Sequence, residues 1–554
     1  MFLYSGLVAQ SNSWVLTFGS KNADQASAIT ADTKGDILAA GIISDTATFT
    51  WRGTTFNLLP WRGNCFITKQ DASGQLIWLR HIGGAGNVSV KDIAADVHDN
   101  FYITGSFSGT ADFDPTSNSV NLISASAVED VFVAKYDNWG NFIWAKKIGG
   151  AGSDHASSIF VSTDSTVFIA GVFEGTVDFD PGVAINQVVG NAVQDAFLLS
   201  LDHAGNFKSA YTFGGAGSDF CTDMELDGQG NLIVSGNFSQ QVDFNPTNSV
   251  DTLTSFGALD AFILKVDTSF NFIWVKQIGG ALNGEIRSIA IDANNKIYAV
   301  GAFRGTCDFD PSSTTNQLTA ENTDGFVVQL TSSGAFSWSN RIGGKSDDEA
   351  IGIAIDQLYN IYVTGYFQDT VDFDPDTTAS LKLTAQGNSD HFIYQLDTAS
   401  NFVSVQQYTG NVQSVPSRIY TDNNIIYTAG SFNGTVDFDA SAAVANRTVV
   451  GQNDIFIQRH MPSTLVMVFE LIEKKVGNVI AYPNPTQHEL RIDLQNEFQI
   501  VDLRVHNAHG VLVREYSYAN TQLIHLDLEI ESGVYFVELI LNETHRETMK
   551  MIKK

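Results

Sequence analysis

The chain has 554 residues and a formal charge of -30, with 61 Asp or Glu against 31 Lys or Arg, a field that repels phosphate backbones and anionic headgroups. Nucleic acid is thereby excluded as an expected partner, and no apolar run reaches the roughly 20 residues of a spanning helix, since Leu465 to Ile472 is short and interrupted by Glu470. Hydrophobic residues make up 44% and charged residues 17%, with 47 Gly and 38 Phe, a balance that suits many short strands joined by tight turns.

Residues 1–11 close an apolar stretch on Ala9 and read as the remnant of a truncated signal peptide, without the basic segment that should precede it. Residues 12–460 form a repeat. Asp112-Phe113-Asp114-Pro115 returns as Asp178 to Pro181, Asp243-Phe244-Asn245-Pro246, Asp308 to Pro311, Asp372 to Pro375 and Asp437-Phe438-Asp439-Ala440, at spacings of 66, 65, 65, 64 and 65. Thr48-Phe49-Thr50 is a degenerate copy one step earlier, which makes seven units.

Each unit carries Gly-x-Phe before the motif (Gly105 and Phe107), an Asp-x-Phe-x-x-x-x-Asp run after it (Asp130 to Asp137), and an aromatic run into paired glycines (Phe142 to Gly150). Four strands per unit follow, labelled a to d, and in the second unit they are expected at Asp92 to Ala95, Phe101 to Thr104, Val131 to Tyr136 and Phe142 to Lys147. Four-stranded units repeated about an axis describe an all-β, seven-bladed propeller. The chain begins on a d-type run, Trp14 to Gly19, and the last unit stops after its c-type run, Asp454 to His460, so the two are expected to pair and close the ring. The a-to-b and c-to-d turns are rich in Asp, Asn and Gly, as tight hairpins with positive φ require.

The Asp-Phe-Asp-Pro loops and the Gly-Gly loops should share one face, made strongly negative by Asp154, Asp219, Glu285, Asp347 and Asp348. Calcium is the one candidate cofactor, with Asp112, Asp114, Asp178, Asp180, Asp308, Asp310, Asp372 and Asp374 as candidate ligands, because carboxylates at i and i+2 of an extended segment point the same way. The competing reading is structural and is preferred: Phe occurs in all seven copies while the acids drift to Thr48, Thr50 and Asn245, which suits a packed ring flanked by Asx turns.

No catalytic residue is assigned. The histidines scatter over unrelated repeat positions, Gly83-Gly84-Ala85-Gly86 is followed by no Lys-Ser or Lys-Thr, and Cys65, Cys221 and Cys307 read as small buried residues. Near the axis the strand-a positions are Thr30, Ala94, Phe160, Glu225, Ala290 and Ala354, with Glu225 the single acid.

Residues 461–479 read as a linker, and 480–554 as a small β-sandwich of alternating runs at Leu490 to Leu494, Val501 to Val505, Val511 to Arg514, Leu523 to Leu526 and Val534 to Leu539. Tyr482-Pro483-Asn484-Pro485, Leu490-Arg491-Ile492, Val505-His506-Asn507 with Gly510, Gly533-Val534-Tyr535, and Lys550 and Lys553 near the end resemble the type A C-terminal sorting domain of the Gram-negative type IX secretion system. That resemblance implies the type IX machinery as partner, and delivery to the outer-membrane surface or the medium. Residues 12–460 resemble the bacterial seven-bladed β-propeller repeat family. Together these lead us to expect an exported, monomeric, non-enzymatic binding or adhesion module for a glycan or surface protein. The alternatives are a secreted polysaccharide-active enzyme and a purely structural surface component.

Overall fold

The computed structural model describes residues 13–51, 54–58, 64–125, 128–191, 193–245, 250–375, 380–422, 424–441, 444–460, 480–482, 489–507, 512–527, 533–541 and 545–553. Contacts divide the chain into residues Met1–Pro462 and Ser463–Lys554. The N-terminal segment 1–11 and the linker 461–479 lie outside the described residues.

Among the described residues the first unit holds seven four-stranded antiparallel sheets. In blade 2 the strands are Asn87–Ala95, Phe101–Ser108, Asp130–Tyr136 and Phe142–Gly150, hydrogen-bonded in the order a-b-c-d. Strand a of each blade touches strand a of the next in cyclic order, from Gln25–Ala31 in blade 1 to Gln413–Asp422 in blade 7 and back again. Blade 7 takes its outer strand from the other end of the chain: Trp14–Phe18 pairs antiparallel with Asp454–His460, from Trp14 opposite Arg459 to Phe18 opposite Ile455. The ring is therefore closed by hydrogen bonds, as the phase of the repeat requires.

The phenylalanine of the recurring motif is a packing device. Phe113 meets Phe107 edge to face at 5.7 Å and lies 4.9 Å from Phe132 of strand c, and the same three rings recur in the next five blades. Phe113, Phe179, Phe244 and Phe309 are wholly buried. Edge-to-face geometry places a ring's positive rim against the neighbour's negative face, which adds to the gain from burial.

The paired glycines join one blade to the next. A Cβ on Gly214 would strike the buried carboxylate of Asp195 in its own blade, and one on Gly215 would strike the carbonyl oxygen of Gln241 in the following blade. Gly214 and Gly215 pair with Asp243 and Val242, so the strand that enters the motif is hydrogen-bonded to the preceding blade. Gly149–Gly150 and Gly279–Gly280 repeat the arrangement. Gly215→Ala should therefore wedge blades 3 and 4 apart, lowering unfolding free energy by about 1–3 kcal/mol. An unchanged urea midpoint would contradict this.

On the opposite face the turns behave as expected. Asp96 Oδ1 accepts the His98 and Asn100 amides, both at 2.9 Å, around Asp99 at φ 63°. Buried lysines of strand c reach these turns, with Lys265 Nζ 2.7 Å from Asp227 and Lys69 Nζ 2.6 Å from Asp32. Such pairs offset the cost of burying each charge alone.

In the second unit, five strands form one hydrogen-bonded sheet in which the long strands Glu489–Asn507 and Leu512–Asp527 pair along most of their length. Their register breaks between Asp493 and Phe498. Ile492 and Leu526 before the break share a core with Val537 and Leu539, whose strand pairs beyond it, so the sheet folds back on itself in the manner of a sandwich. The runs expected as four separate strands are thus two long ones.

Candidate functional site

The channel along the axis is built by a repeated irregularity of strand a. In every blade the register with strand b slips, between Ala26 and Ala28, Val90 and Asp92, Ala156 and Ser158, Cys221 and Asp223, Ile286 and Ser288, Ala350 and Gly352, and Pro416 and Arg418. A bulge of this kind leaves one residue unpaired and re-aims side chains. The skipped residues, Ser27, Lys91, Ser157, Thr222, Arg287, Ile351 and Ser417, all line one cavity of about 610 Å³. They form the mouth of the channel.

Below the mouth lies a narrower space of about 310 Å³, lined by Asp92, Ser158, Asp223, Ser288 and Arg418, and deeper still by Thr30, Ala94, Phe160, Glu225 and Tyr420. Ala290 and Ala354, expected beside them, are buried against neighbouring side chains instead. Glu225 is not the single acid near the axis: Asp92 and Asp223 stand two residues before Ala94 and Glu225 on the same side of their strands. Each strand presents two inward positions, so reading one position per strand missed a whole tier.

The acids are tied into adjacent blades. Ser158 Oγ lies 3.1 Å from Asp92 Oδ2 and 3.3 Å from Asp223 Oδ1, while Ser288 Oγ donates to Asp223 Oδ2 at 2.8 Å. The Ile159 and Ile289 amides donate to Asp92 and Asp223 at 2.9 and 3.0 Å. Burial, opposed by Arg418 and reinforced by Asp223, pushes Asp92 up to about 6. Burial together with the charges of Asp223 and Asp92 pushes Glu225 up to about 8, so its carboxyl is mostly protonated at neutral pH and can donate as well as accept.

The mouth has the opposite character. Its lining holds Lys91, Arg287 and Arg418, with His155, and no Asp or Glu. Arg287 Nη2 is 3.3 Å from Glu285 and 3.6 Å from Glu349, and His155 Nδ1 is 3.1 Å from Glu129, all three acids lying outside that lining. Of the five acids expected to make that face negative, Asp347 is exposed and Glu285 partly so, whereas Asp154, Asp219 and Asp348 are buried and spend their oxygens on backbone amides, as when Gly150 and Glu174 donate to Asp154. Burial, partly offset by those bonds, raises Asp154 and Asp348 to about 7 and Asp219 to about 6.

The eight calcium candidates occupy Asx turns. Oδ1 of Asp112 accepts the Asp114 amide at 3.1 Å and the Val120 amide at 2.8 Å, and Asp178, Asp308 and Asp372 bind their loops likewise. Asp114, Asp180 and Asp310 accept the amide two residues on, and Asp374 supplies the amide bound by Asp372. Among the described residues no three His, Cys, Asp or Glu side chains are grouped to hold a metal ion.

In the C-terminal unit Tyr482 ends the strand Ile480–Tyr482, and Gly533 and Tyr535 open the strand Gly533–Leu541, paired with Lys553 and Met551. Lys550 pairs with Phe536. Pro483, Asn484, Pro485 and Gly510 lie outside the described residues.

The family model of the secretion system C-terminal sorting domain matches residues 480–554, and that of the β-propeller repeat matches 337–366. Among curated proteins, an uncharacterized WD repeat-containing protein, L264, of Acanthamoeba polyphaga mimivirus is 23% identical over 418 residues, covering 64% of this chain and 30% of the relative. The regulatory protein FlaEY of Caulobacter vibrioides is 22% identical over 442 residues, covering 75% of this chain and 44% of the relative, so the chain spans less than half the length of either. The Neurospora crassa Pan2 WD40 domain aligns over 79% of this chain and 90% of its own, at 10% identity and a TM-score of 0.38. A DUF4221 family member from Bacteroides vulgatus aligns over 64% and 93%, at 10% identity and a TM-score of 0.27. Among the described residues no helix is long and apolar enough to cross a membrane. Residues 480–554 thus match a secretion system C-terminal sorting domain, and the first unit is a ring of four-stranded sheets within which residues 337–366 match a β-propeller repeat.

Proposed function

We propose that the propeller is an exported, non-enzymatic binding module whose ligand enters the mouth of the central channel. One observation carries this reading. The blades repeat their aromatic triads, glycine pairs and turns, yet the seven bulged positions carry Ser27, Lys91, Ser157, Thr222, Arg287, Ile351 and Ser417. A scaffold alone has no need of such asymmetry, whereas selective binding depends on a few placed polar groups in a concave, partly apolar site. Sorting by residues 480–554 delivers the site to the cell surface or beyond.

A glycan array tests the reading with the full chain and a plugged variant, Thr222→Trp, alongside Ser157→Trp as an independent plug from the next blade. Loss of at least tenfold in signal at an unchanged melting temperature is expected from whichever plug folds. Full binding by a folded plug would place the ligand elsewhere and overturn the reading.

A second reading, a polysaccharide-active enzyme, is favoured by the convergence of Asp92, Asp223 and Glu225 on one space.

A further inference from the structure

We infer that the ligand of this channel is an acidic sugar residue, a pyranose carrying one carboxylate, held by its anion at the mouth and by its hydroxyls below. The inference rests on the channel reading above. Three bases and no acid line a mouth of about 610 Å³ in a chain with twice as many acids as bases. Arg287 is paired with Glu285 and Glu349, so Lys91, which is exposed, and Arg418, which belongs to both tiers, carry the charge that faces the cavity.

Charge alone would admit any anion, and the second tier narrows the choice. Directly beneath the bases stand Asp92 and Asp223, bridged by Ser158, with Ser288 and Glu225 beside them. The Ser158 and Ser288 hydroxyl oxygens and the Glu225 carboxyl can take hydroxyl donors, while Asp92 and Asp223, whose oxygens already accept protein donors, repel a second negative charge. A phosphate or a nucleotide would bring too much charge into that space, and the field of a -30 chain acts against a polyanion at longer range. A monocarboxylate rich in hydroxyls satisfies both tiers. Phe220 and Pro416 add apolar surface at the mouth, against which the carbon-bearing face of a pyranose can lie.

Titration calorimetry on the full chain with galacturonic acid, neutral galactose and inorganic phosphate tests this. The acidic sugar should bind, the neutral one more weakly, and Lys91→Gln should weaken the acidic ligand about tenfold or more. Lys382→Gln, an exposed position on a motif hairpin outside the channel, should leave binding unchanged. Equal binding of the neutral sugar, equal effects of the two variants, or phosphate competing as well as the acidic sugar would each overturn the inference. Blockage of a neutral sugar by Thr222→Trp would then show the channel reading standing without it.

Discussion

Removal of residues 1–20 is expected to abolish cooperative unfolding and leave an aggregating protein. Trp14, Val15, Leu16 and Phe18 are each at least nine-tenths buried in the closing sheet, and fully burying such a side chain contributes about 1.5–3 kcal/mol. Four of them approach the whole stability of a typical domain, about 5–15 kcal/mol. The deletion also exposes the hydrogen-bonding edge of Asp454–His460, a template for pairing with other chains. Further losses come at Gly19, which lies against the buried Asp454, and at Trp14, whose indole donates to Ala72 O at 3.3 Å in the neighbouring blade. Thermal unfolding followed by circular dichroism would decide the matter, and a melting temperature equal to that of the intact chain would refute closure by this strand.

The closure was legible because it depends on phase: a d-type run at the start and a c-type run at Asp454 to His460 leave one strand missing and one spare. The triads were partly legible, since Phe49 to Phe438 recur at fixed spacing, but their partners come from other strands of the blade. The glycine pairs were not. Gly149 faces Asp130 of its own blade, and Gly150 faces Thr176 of the next, contacts that no local spacing announces.

The mouth was hidden because a single position was read near the axis for each strand a. In strand a of blade 2 the buried apolar residues run Val88, Val90, Ile93, with a step of three where a regular strand has two. Ala26 and Ile29, Ile286 and Ile289, and Ala350 and Ile353 repeat that step. The extra residue in each step is the one turned toward the cavity. The signal was present in every repeat, in the same place, as a fault in the pattern.

The buried acids predict an unusual response to pH. Asp154 and Asp348, held at about 7, and Asp219, at about 6, bind protons more tightly folded than unfolded, where an aspartate titrates near 3.9. A raised carboxyl contributes stability that is present at low pH and lost as pH rises through the folded value, so stability should increase as pH falls from 8 to 6. Asp154 and Asp348 alone account for about 2–3 kcal/mol over that interval. Asp92 and Glu225 act in the same direction. Two buried histidines oppose them. His391 stacks on Tyr408 at 4.3 Å, and His460 bonds Tyr408 and Thr428; burial lowers both, His460 to about 3, so their contribution is present above about 6.5 and is lost as pH falls below it. Below about 6.5 the histidines offset part of the acids' gain. Urea midpoints at pH 8, 7 and 6 should therefore climb, with the step from 7 to 6 exceeding that from 8 to 7. Asp154→Asn, which keeps a polar side chain but cannot ionise, should flatten that climb. A midpoint that falls from pH 8 to pH 6 would show that these carboxyls are ionised and solvated in the folded protein.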